Sequence, residues 1–169
     1  MQMSFNVKRN SAVFPKIFIY ETEMGAMAIS EIGGEINSIF FVNSRAPTIE
    51  VALEESEVLK EAYDQLSAYF KRKLREFSLP LTLQGTEFQI NVWKELCNIP
   101  YGMTVSYKDI AVSVNNPNAY RAVGNANNKN PIPIVIPCHR VIASNGTLCG
   151  YGGGISIKEK LLKLECATI

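Results

Sequence analysis

The sequence predicts an α+β protein of two domains, and three observations lead to this prediction. Residues 17–42 alternate apolar residues with others, which is typical of strands. Residues 54–77 and several later segments repeat apolar residues every three or four positions, which is typical of helices. Residues 78–86 look like an extended linker between the two patterns. We therefore expect domains at 1–82 and 83–169 of the 169-residue chain.

The first domain should contain strands followed by one helix. Gly25 and Gly33-Gly34 supply turns between the strands. The helix over 54–77 ends in the basic run 71–75, which we interpret as a solvated helix end favoured by the helix dipole rather than as a DNA site. The apolar positions that mark the strands are Ile17, Ile19, Met27, Ile29, Ile39 and Phe41.

The second domain should be mostly helical. Thr86 is a candidate N-cap with Gln89 three residues later, as in a capping box, and Pro100 with Gly102 ends this segment. Thr104 or Ser106 could cap the next helix. A helix over 119–128 follows the turn Asn115-Asn116-Pro117-Asn118. Two short helices joined by a tight polar turn fit a helix-turn-helix unit, although such hairpins also occur in proteins that do not bind DNA.

The composition indicates an ordinary globular protein, with 47% hydrophobic and 20% charged residues. No apolar run approaches the roughly 20 residues that a membrane helix needs. Residues 1–10 contain no apolar signal-peptide segment. We therefore expect an intracellular, cytoplasmic protein that does not enter a membrane.

The charges are unevenly distributed, although the net charge is only +1. Residues 1–85 contain 9 basic and 11 acidic residues, whereas residues 86–169 contain 8 and 5. No carboxylate side chain occurs between Asp109 and Glu159. This acid-free stretch is compatible with a polyanion passing close by, and it is equally compatible with chance in a region rich in Asn, Gly and Pro.

The four cysteines form no CxxC pair, so we expect free thiols. A metal site built from Cys138, His139 and Cys149 is conceivable, but it has three ligands at an unfamiliar spacing. We therefore expect no metal and no cofactor. The other three cysteines, Cys97, Cys149 and Cys166, fit small buried apolar residues.

The single histidine, His139, directly follows Cys138. An imidazole is the usual device for stabilising a nucleophilic thiolate. Consecutive side chains of an extended chain point to opposite faces, so contact requires a turn or a bridging water. Pro137 before the pair and Ser144-Asn145-Gly146 after it permit such a turn. Glu165 is a candidate for orienting the imidazole.

The segment Ile136 to Val141, IPCHRV, resembles the active-site signature of the O6-alkylguanine-DNA alkyltransferase family. The resemblance extends in order over residues 85–166, about half of the chain. The N-terminal half is similar to the ribonuclease H-like α/β domain, with a small antiparallel sheet, that this family places there. The further matching motifs are Phe88-Gln89, Val92-Trp93, Ile99 to Gly102, Ser106-Tyr107, Arg121 to Gly124, Asn130-Pro131, Gly150-Tyr151, Gly153-Gly154, Lys158, Leu161-Leu162 and Glu165.

The resemblance implies a suicide methyltransferase that repairs DNA. Cys138 would accept the alkyl group of O6-alkylguanine, and also of O4-alkylthymine, and the stable thioether would consume the protein in one turnover. His139 would take the thiol proton through a water, with Glu165 orienting the ring. Tyr107 would donate to the guanine and help to expel it from the stack.

The resemblance also implies a partner, double-stranded DNA, bound through a helix in the minor groove by a monomer without an obligate protein partner. Arg121 would fill the gap left by the extruded base. Small residues would allow close approach to the groove, and polar residues would contact sugars and phosphates without reading sequence. The small residues are Ala122, Gly124 and Ala126, and the polar ones are Asn125, Asn127 and Asn128.

Asn130 resembles a hinge that ties the recognition helix to the active-site loop. The guanine pocket would be lined by Pro133, Val141, Tyr151, Gly152, Gly153 and Lys158. Two alternatives stay open: a non-catalytic sensor of alkylated DNA, which the presence of Cys138 disfavours, and a helix-turn-helix regulator. The second is disfavoured because residues 119–128 lack a set of base-reading Arg, Gln or Lys side chains.

Overall fold

The computed structural model describes residues 5–6, 14–42 and 54–166. The chain divides into two compact units between Gln84 and Gly85. The first unit holds a sheet and a helix, and the second holds four helices, which confirms the predicted α+β class. Most of the polar segment 1–10, which suggested the absence of a signal peptide, lies outside the described residues. None of the described helices has the length and hydropathy that a membrane span requires.

The sheet of the first unit contains five strands in the order β1-β5-β4-β3-β2. Its strands are β1 (Phe5–Asn6), β2 (Lys16–Tyr20), β3 (Met27–Ile32), β4 (Glu35–Phe41) and β5 (Leu81–Thr82). β2, β3 and β4 pair antiparallel, as expected. β5 pairs parallel with both β4 and β1, so the sheet is mixed rather than wholly antiparallel.

A two-glycine turn joins β3 to β4. Gly33 and Gly34 have φ angles of 61° and 82°. A two-residue hairpin turn of this kind needs positive φ at both positions, which glycine adopts without a steric penalty. The predicted turn at Gly33-Gly34 is therefore confirmed.

The helix of the first unit, α1 (Glu57–Phe70), is shorter than the predicted 54–77. Its buried face, including Leu59 and Leu66, packs on β3 and β4. Arg72 has a left-handed φ of 58°, and the Lys73 amide donates to the Ala68 carbonyl at 2.8 Å. This is a Schellman ending, which stops the helix although the polar pattern continues.

The interpretation of residues 78–86 as a linker is correct only in part, because the boundary between the two units lies within this segment but Leu81–Thr82 forms β5 of the sheet. Leu79, Leu81 and Leu83 are buried, and Leu81 pairs with Ile36 of β4. The alternating leucines are a strand pattern with a period of two residues. This signal was present in the sequence, although the alternation spans only three leucines.

The second unit contains α2 (Glu87–Leu96), α3 (Tyr107–Ser113), α4 (Tyr120–Asn128) and α5 (Ile155–Leu164). Thr86 and Gln89 form the predicted capping box at the start of α2, and Ser106 forms a second one with Asp109 at the start of α3. α3, the turn at Asn115 and α4 form the predicted helix-turn-helix unit. Both helices of this unit pack on each other and on α2. The short strands β6 (Val105–Ser106) and β7 (Val141–Ile142) pair in parallel, and the sequence pattern did not predict them.

Candidate active site

The segment after α4 delivers Cys138 to the interior of the second unit. Ile132, Ile134 and Ile136 are fully buried, and Ile134 has a φ of 78°, a conformation that β-branched residues rarely adopt. Cys138 begins a single 3₁₀ turn, Cys138–Arg140, and is 3% exposed. The predicted turn therefore exists, and neighbouring side chains in it need not point to opposite faces.

His139 and Glu165 are in direct contact. The His139 Nε2 atom lies 3.0 Å from the Glu165 Oε1 atom, and both side chains are fully buried. Because an ionised carboxylate only accepts hydrogen bonds, Nε2 carries the proton and Nδ1 is the basic nitrogen of the ring. The structure thus brings together the orienting carboxylate and the histidine that the sequence analysis paired.

Arg140 also binds Glu165. Its Nε atom donates to both carboxylate oxygens, at 3.2 Å and 3.0 Å, and its Nη2 atom donates to Oε1 at 2.8 Å. Its Nη1 atom donates to the Ile99 carbonyl at 2.6 Å, and the Gly102 amide donates to Glu165 Oε2 at 3.1 Å. One carboxylate therefore joins the 3₁₀ turn, the loop after α2 and the end of α5.

Arg140 had no predicted role. The sequence did contain a signal for a structural role of this residue. Arg140 belongs to the IPCHRV segment, and a buried arginine needs a carboxylate partner. Glu165 was already a candidate for contact with the same turn. No pattern in the sequence, however, indicated that one carboxylate would serve both residues.

Burial raises the pKa of the Cys138 thiol to about 11, although a hydrogen bond from Asn130 and the charge of Lys158 act in the opposite direction. Burial also lowers the pKa of His139 below its ordinary 6.5, against the effect of Glu165. The resting pair is thus a neutral thiol and a neutral imidazole. The expected thiolate stabilisation by the imidazole is not seen in this resting state.

Glu165 stays ionised. Burial alone would raise its pKa, but the hydrogen bonds from His139 and Arg140 outweigh burial and hold the pKa well below its ordinary value. A neutral imidazole backed by a carboxylate can accept a proton and stabilise the imidazolium that forms. The geometry therefore supports general-base chemistry at His139.

Lys158 is fully buried and fixes the backbone beside the thiol. Its Nζ atom donates to the Val141 carbonyl at 2.6 Å and to the Cys149 carbonyl at 3.0 Å. The Tyr107 hydroxyl donates to the same Cys149 carbonyl at 3.2 Å. Tyr107 and Lys158 therefore both hold the loop after β7 in place. This loop leads into Tyr151, Gly152 and Gly153, which are predicted to line the pocket.

Asn130 spans the turn that precedes Cys138. Its Nδ2 atom donates to the Ile136 carbonyl at 2.8 Å, and its Oδ1 atom accepts from the Ile132 amide at 3.0 Å. Both bonds tie the end of α4 to the nucleophile segment. This placement is compatible with the hinge role that the resemblance implies.

The remaining predicted pocket residues differ in exposure. Pro133 and Gly153 are half-buried, and Gly152 is exposed. Tyr151 is buried, and burial raises the pKa of its hydroxyl well above the ordinary value. The alternative metal site is not formed, because no cluster of three His, Cys, Asp or Glu side chains in the described part of the chain is placed to hold an ion.

The surface of α4 differs from the prediction in two residues. Arg121, Ala122 and Asn125 are exposed, and so is Asn128. Ala126 and Asn127 are buried, however, so the expectation that they face DNA is wrong. The Ala126 carbonyl accepts from the Trp93 indole at 2.8 Å, and the Asn127 amide donates to the Cys138 carbonyl at 3.3 Å.

The reason is helical spacing. Ala126 follows Val123 by three residues, which places both on one face of the helix. Val123 is fully buried, so Ala126 turns towards α2 with it. Gly124 lies between the two faces, and a Cβ atom there would approach the Tyr107 ring at 3.9 Å.

A helix-turn-helix unit followed by a buried cysteine and an oriented histidine defines a class of protein, one that pairs a nucleic-acid-binding motif with a nucleophilic thiol. Comparison with known proteins is consistent with this class. Residues 17–83 match the family model described as 6-O-methylguanine DNA methyltransferase, ribonuclease-like domain. Residues 87–167 match the one described as 6-O-methylguanine DNA methyltransferase, DNA binding domain.

Two similar proteins have the same name. The methylated-DNA–protein-cysteine methyltransferase of Methanosarcina acetivorans is 47% identical over 152 residues, which cover 87% of this chain and 96% of the relative. That of Methanosarcina barkeri is 60% identical over 113 residues, which cover 67% and 72%. The chain belongs to the methylated-DNA–protein-cysteine methyltransferase family.

Solved structures agree with this assignment. A crystal structure of Mycobacterium tuberculosis O6-methylguanine methyltransferase is 40% identical with a TM-score of 0.81, and the match covers 90% of this chain and 93% of that one. A crystal structure of Mycobacterium tuberculosis OGT in complex with DNA is 41% identical with a TM-score of 0.80, covering 90% and 92%.

Proposed function

We propose that this protein repairs alkylated DNA by moving the alkyl group of O6-alkylguanine onto the Sγ atom of Cys138 in a single turnover. The observation that carries the proposal is that buried Cys138 and His139 share one 3₁₀ turn, in which Glu165 binds the histidine ring. Family membership supports the same activity.

In the reaction, Sγ attacks the alkyl carbon while the bond from that carbon to O6 breaks. The electron pair of the broken bond stays on the purine, which takes up a proton and leaves as guanine. The thiol proton passes through a water to Nδ1 of His139. Glu165 stabilises the imidazolium, as a carboxylate does in a nucleophile–base–acid triad. The thioether is stable, so the protein is not regenerated.

The thiol is kept in the interior, so the damaged base must leave the stack to reach it. Arg121, exposed near the start of α4, is the residue that we propose fills the gap. Tyr107 would exchange its bond to the Cys149 carbonyl for a bond to the extruded guanine. Pro133, Val141, Tyr151, Gly152, Gly153 and Lys158 would form or support the pocket, and Asn130 would couple it to α4.

The partner is double-stranded DNA, approached by the exposed face of α4 with Ala122 and Asn125, and with Gly124 at the border of this face. The related OGT crystallised with DNA supports this choice. No obligate protein partner and no cofactor enter the scheme, and a monomer suffices. We place the protein in the cytoplasm because its substrate is DNA. We further propose that the chain consists of domains 1–82 and 83–169, and that all reactive groups lie in the second domain.

The test is a measurement of intact mass. The protein is incubated with a duplex oligonucleotide that carries O6-methylguanine, and peptide mapping locates the added group. We expect one methyl group per chain on Cys138, no gain for Cys138→Ala, and full gain for the control Cys149→Ala. A protein that binds the duplex without gaining mass would be a sensor or a regulator, and the proposal would be wrong.

A further inference from the structure

The exposed face of α4 is uneven in size. Ala122 carries a single methyl group, Asn125 and Asn128 carry short polar side chains, and Gly124 at the border of the face carries none, so this part of the face is low. Tyr120 and Arg121 stand next to each other at the start of the helix, and both are exposed. Two large exposed side chains, not one, therefore stand at the start of a helix whose other exposed residues are short.

Tyr120 is unusual among the aromatic residues of its unit. Its side chain is 47% exposed, and it is the one exposed aromatic residue among those described in the second unit. Phe88, Tyr101 and Tyr107 are half-buried there, and Trp93 and Tyr151 are buried. Packing within the unit therefore does not account for an aromatic ring at this position.

The Tyr120 ring has a specific neighbour. The Arg121 Cζ atom lies 5.8 Å from the centroid of the ring, within the range of a cation–π contact. Among the described residues, no carboxylate forms an ion pair with Arg121. The ring is thus the group that restrains a long and otherwise mobile side chain.

Restraint matters for a side chain that must enter a gap in DNA. An arginine side chain loses much rotational freedom when it becomes fixed. A contact that limits this freedom beforehand reduces the loss on binding, which is the general effect of preorganisation.

We propose that Tyr120 is a positioning residue for Arg121, and that its ring holds the guanidinium ready to enter the space left by the extruded base. The partner is duplex DNA with one nucleotide turned out of the stack. This inference rests on the proposed function and on the role given there to Arg121. It assigns to Tyr120 a part in base extrusion and none in the methyl transfer itself.

The test is a double-mutant cycle on the rate of methyl transfer to Cys138 from duplex O6-methylguanine, measured by intact mass. We expect Tyr120→Leu to slow duplex repair about two- to fivefold, the fold-change that corresponds to an exposed cation–π contact. Tyr120→Phe should react with duplex DNA at the wild-type rate, because phenylalanine keeps the aromatic ring. In an Arg121→Ala background, Tyr120→Leu should slow the reaction no further, because contacting residues are not additive.

The control for the exposed surface is Met103→Ala, which removes a side chain of similar exposure, 56%, and should leave the duplex rate unchanged. Reaction with free O6-benzylguanine needs no extrusion, so Tyr120→Leu should affect it much less than duplex repair. Equal slowing of both reactions would overturn the proposal, as would full additivity with Arg121→Ala or a Tyr120→Phe variant as slow as Tyr120→Leu. A wild-type protein that takes an alkyl group from neither substrate would overturn the proposed function first.

Discussion

Replacing Glu165 by glutamine should destabilise the protein far more than the loss of one charge at the surface. The Glu165 carboxylate accepts from four donors: His139 Nε2, Arg140 Nε, Arg140 Nη2 and the Gly102 amide. A glutamine amide keeps nearly the same volume but offers a single oxygen with two lone pairs. At least two buried donors therefore lose their acceptor, and the Arg140 guanidinium loses its counter-charge.

The size of the effect follows from burial. Glu165 is 3% exposed and Arg140 is 6% exposed. Removing one partner of such a buried ion pair costs about 3–5 kcal/mol, because the other charge stays buried and unpaired. Domains of this kind unfold with a free energy of about 5–15 kcal/mol. Glu165→Gln should thus remove a large fraction of the stability of the second unit.

Urea unfolding measures this directly through the midpoint and slope of the transition. Glu159→Gln is the matched control, since Glu159 forms an ion pair at 2.7 Å with Lys163 on the same helix and both side chains are largely in solvent. We expect that control to lie close to wild type. The reasoning is refuted if Glu165→Gln lowers the free energy of unfolding no more than Glu159→Gln does.

Three further predictions concern stability and activity. Acid should destabilise the fold in two stages, measured as the free energy of unfolding against pH. His139 has a lowered pKa in the folded state, so its contribution is present above its ordinary 6.5 and is lost as the pH falls below it. Glu165 has a depressed pKa, so its contribution is present above its ordinary 4.5 and is lost at lower pH; flat stability between pH 7 and 3 would contradict both. Thr86→Ala should cost about 1 kcal/mol in urea unfolding through loss of the capping box, with Thr86→Ser as the neutral control. Asn130→Ala should lose both hydrogen bonds across its turn and slow benzyl transfer from free O6-benzylguanine as well as methyl transfer from DNA, whereas an effect confined to DNA would place its role in α4 alone.

Local signals in the sequence predicted local structure well. The capping residues Thr86 and Gln89 start α2 where expected, because a cap depends on residues three positions apart. The turn at Gly33-Gly34 and the helix-turn-helix unit follow from equally short patterns. The end of α1 could not be predicted from such a pattern. The residue with left-handed φ there is Arg72, and arginine gives no signal for a helix end of the kind that glycine provides.

Properties that depend on distant residues were harder to predict. The partnership of Arg140 with Glu165 joins residues 25 positions apart, and no spacing rule covers it. The raised pKa of Cys138 arises from burial, which a neighbouring histidine in the sequence does not reveal. The burial of Ala126 could have been predicted, since Val123 marks the buried face of α4. An alanine, however, is small enough to lie on either face of a helix.

The Glu165 network makes the reactivity of the thiol depend on complete folding. Glu165 lies 26 positions from His139 and 63 positions from Gly102, so the base is oriented only after these three regions have come together. A partly folded chain carries the same cysteine and histidine, yet lacks the arrangement that would let them react in concert. For a molecule that can act once, this long-range dependence reserves the only available turnover for the mature conformation.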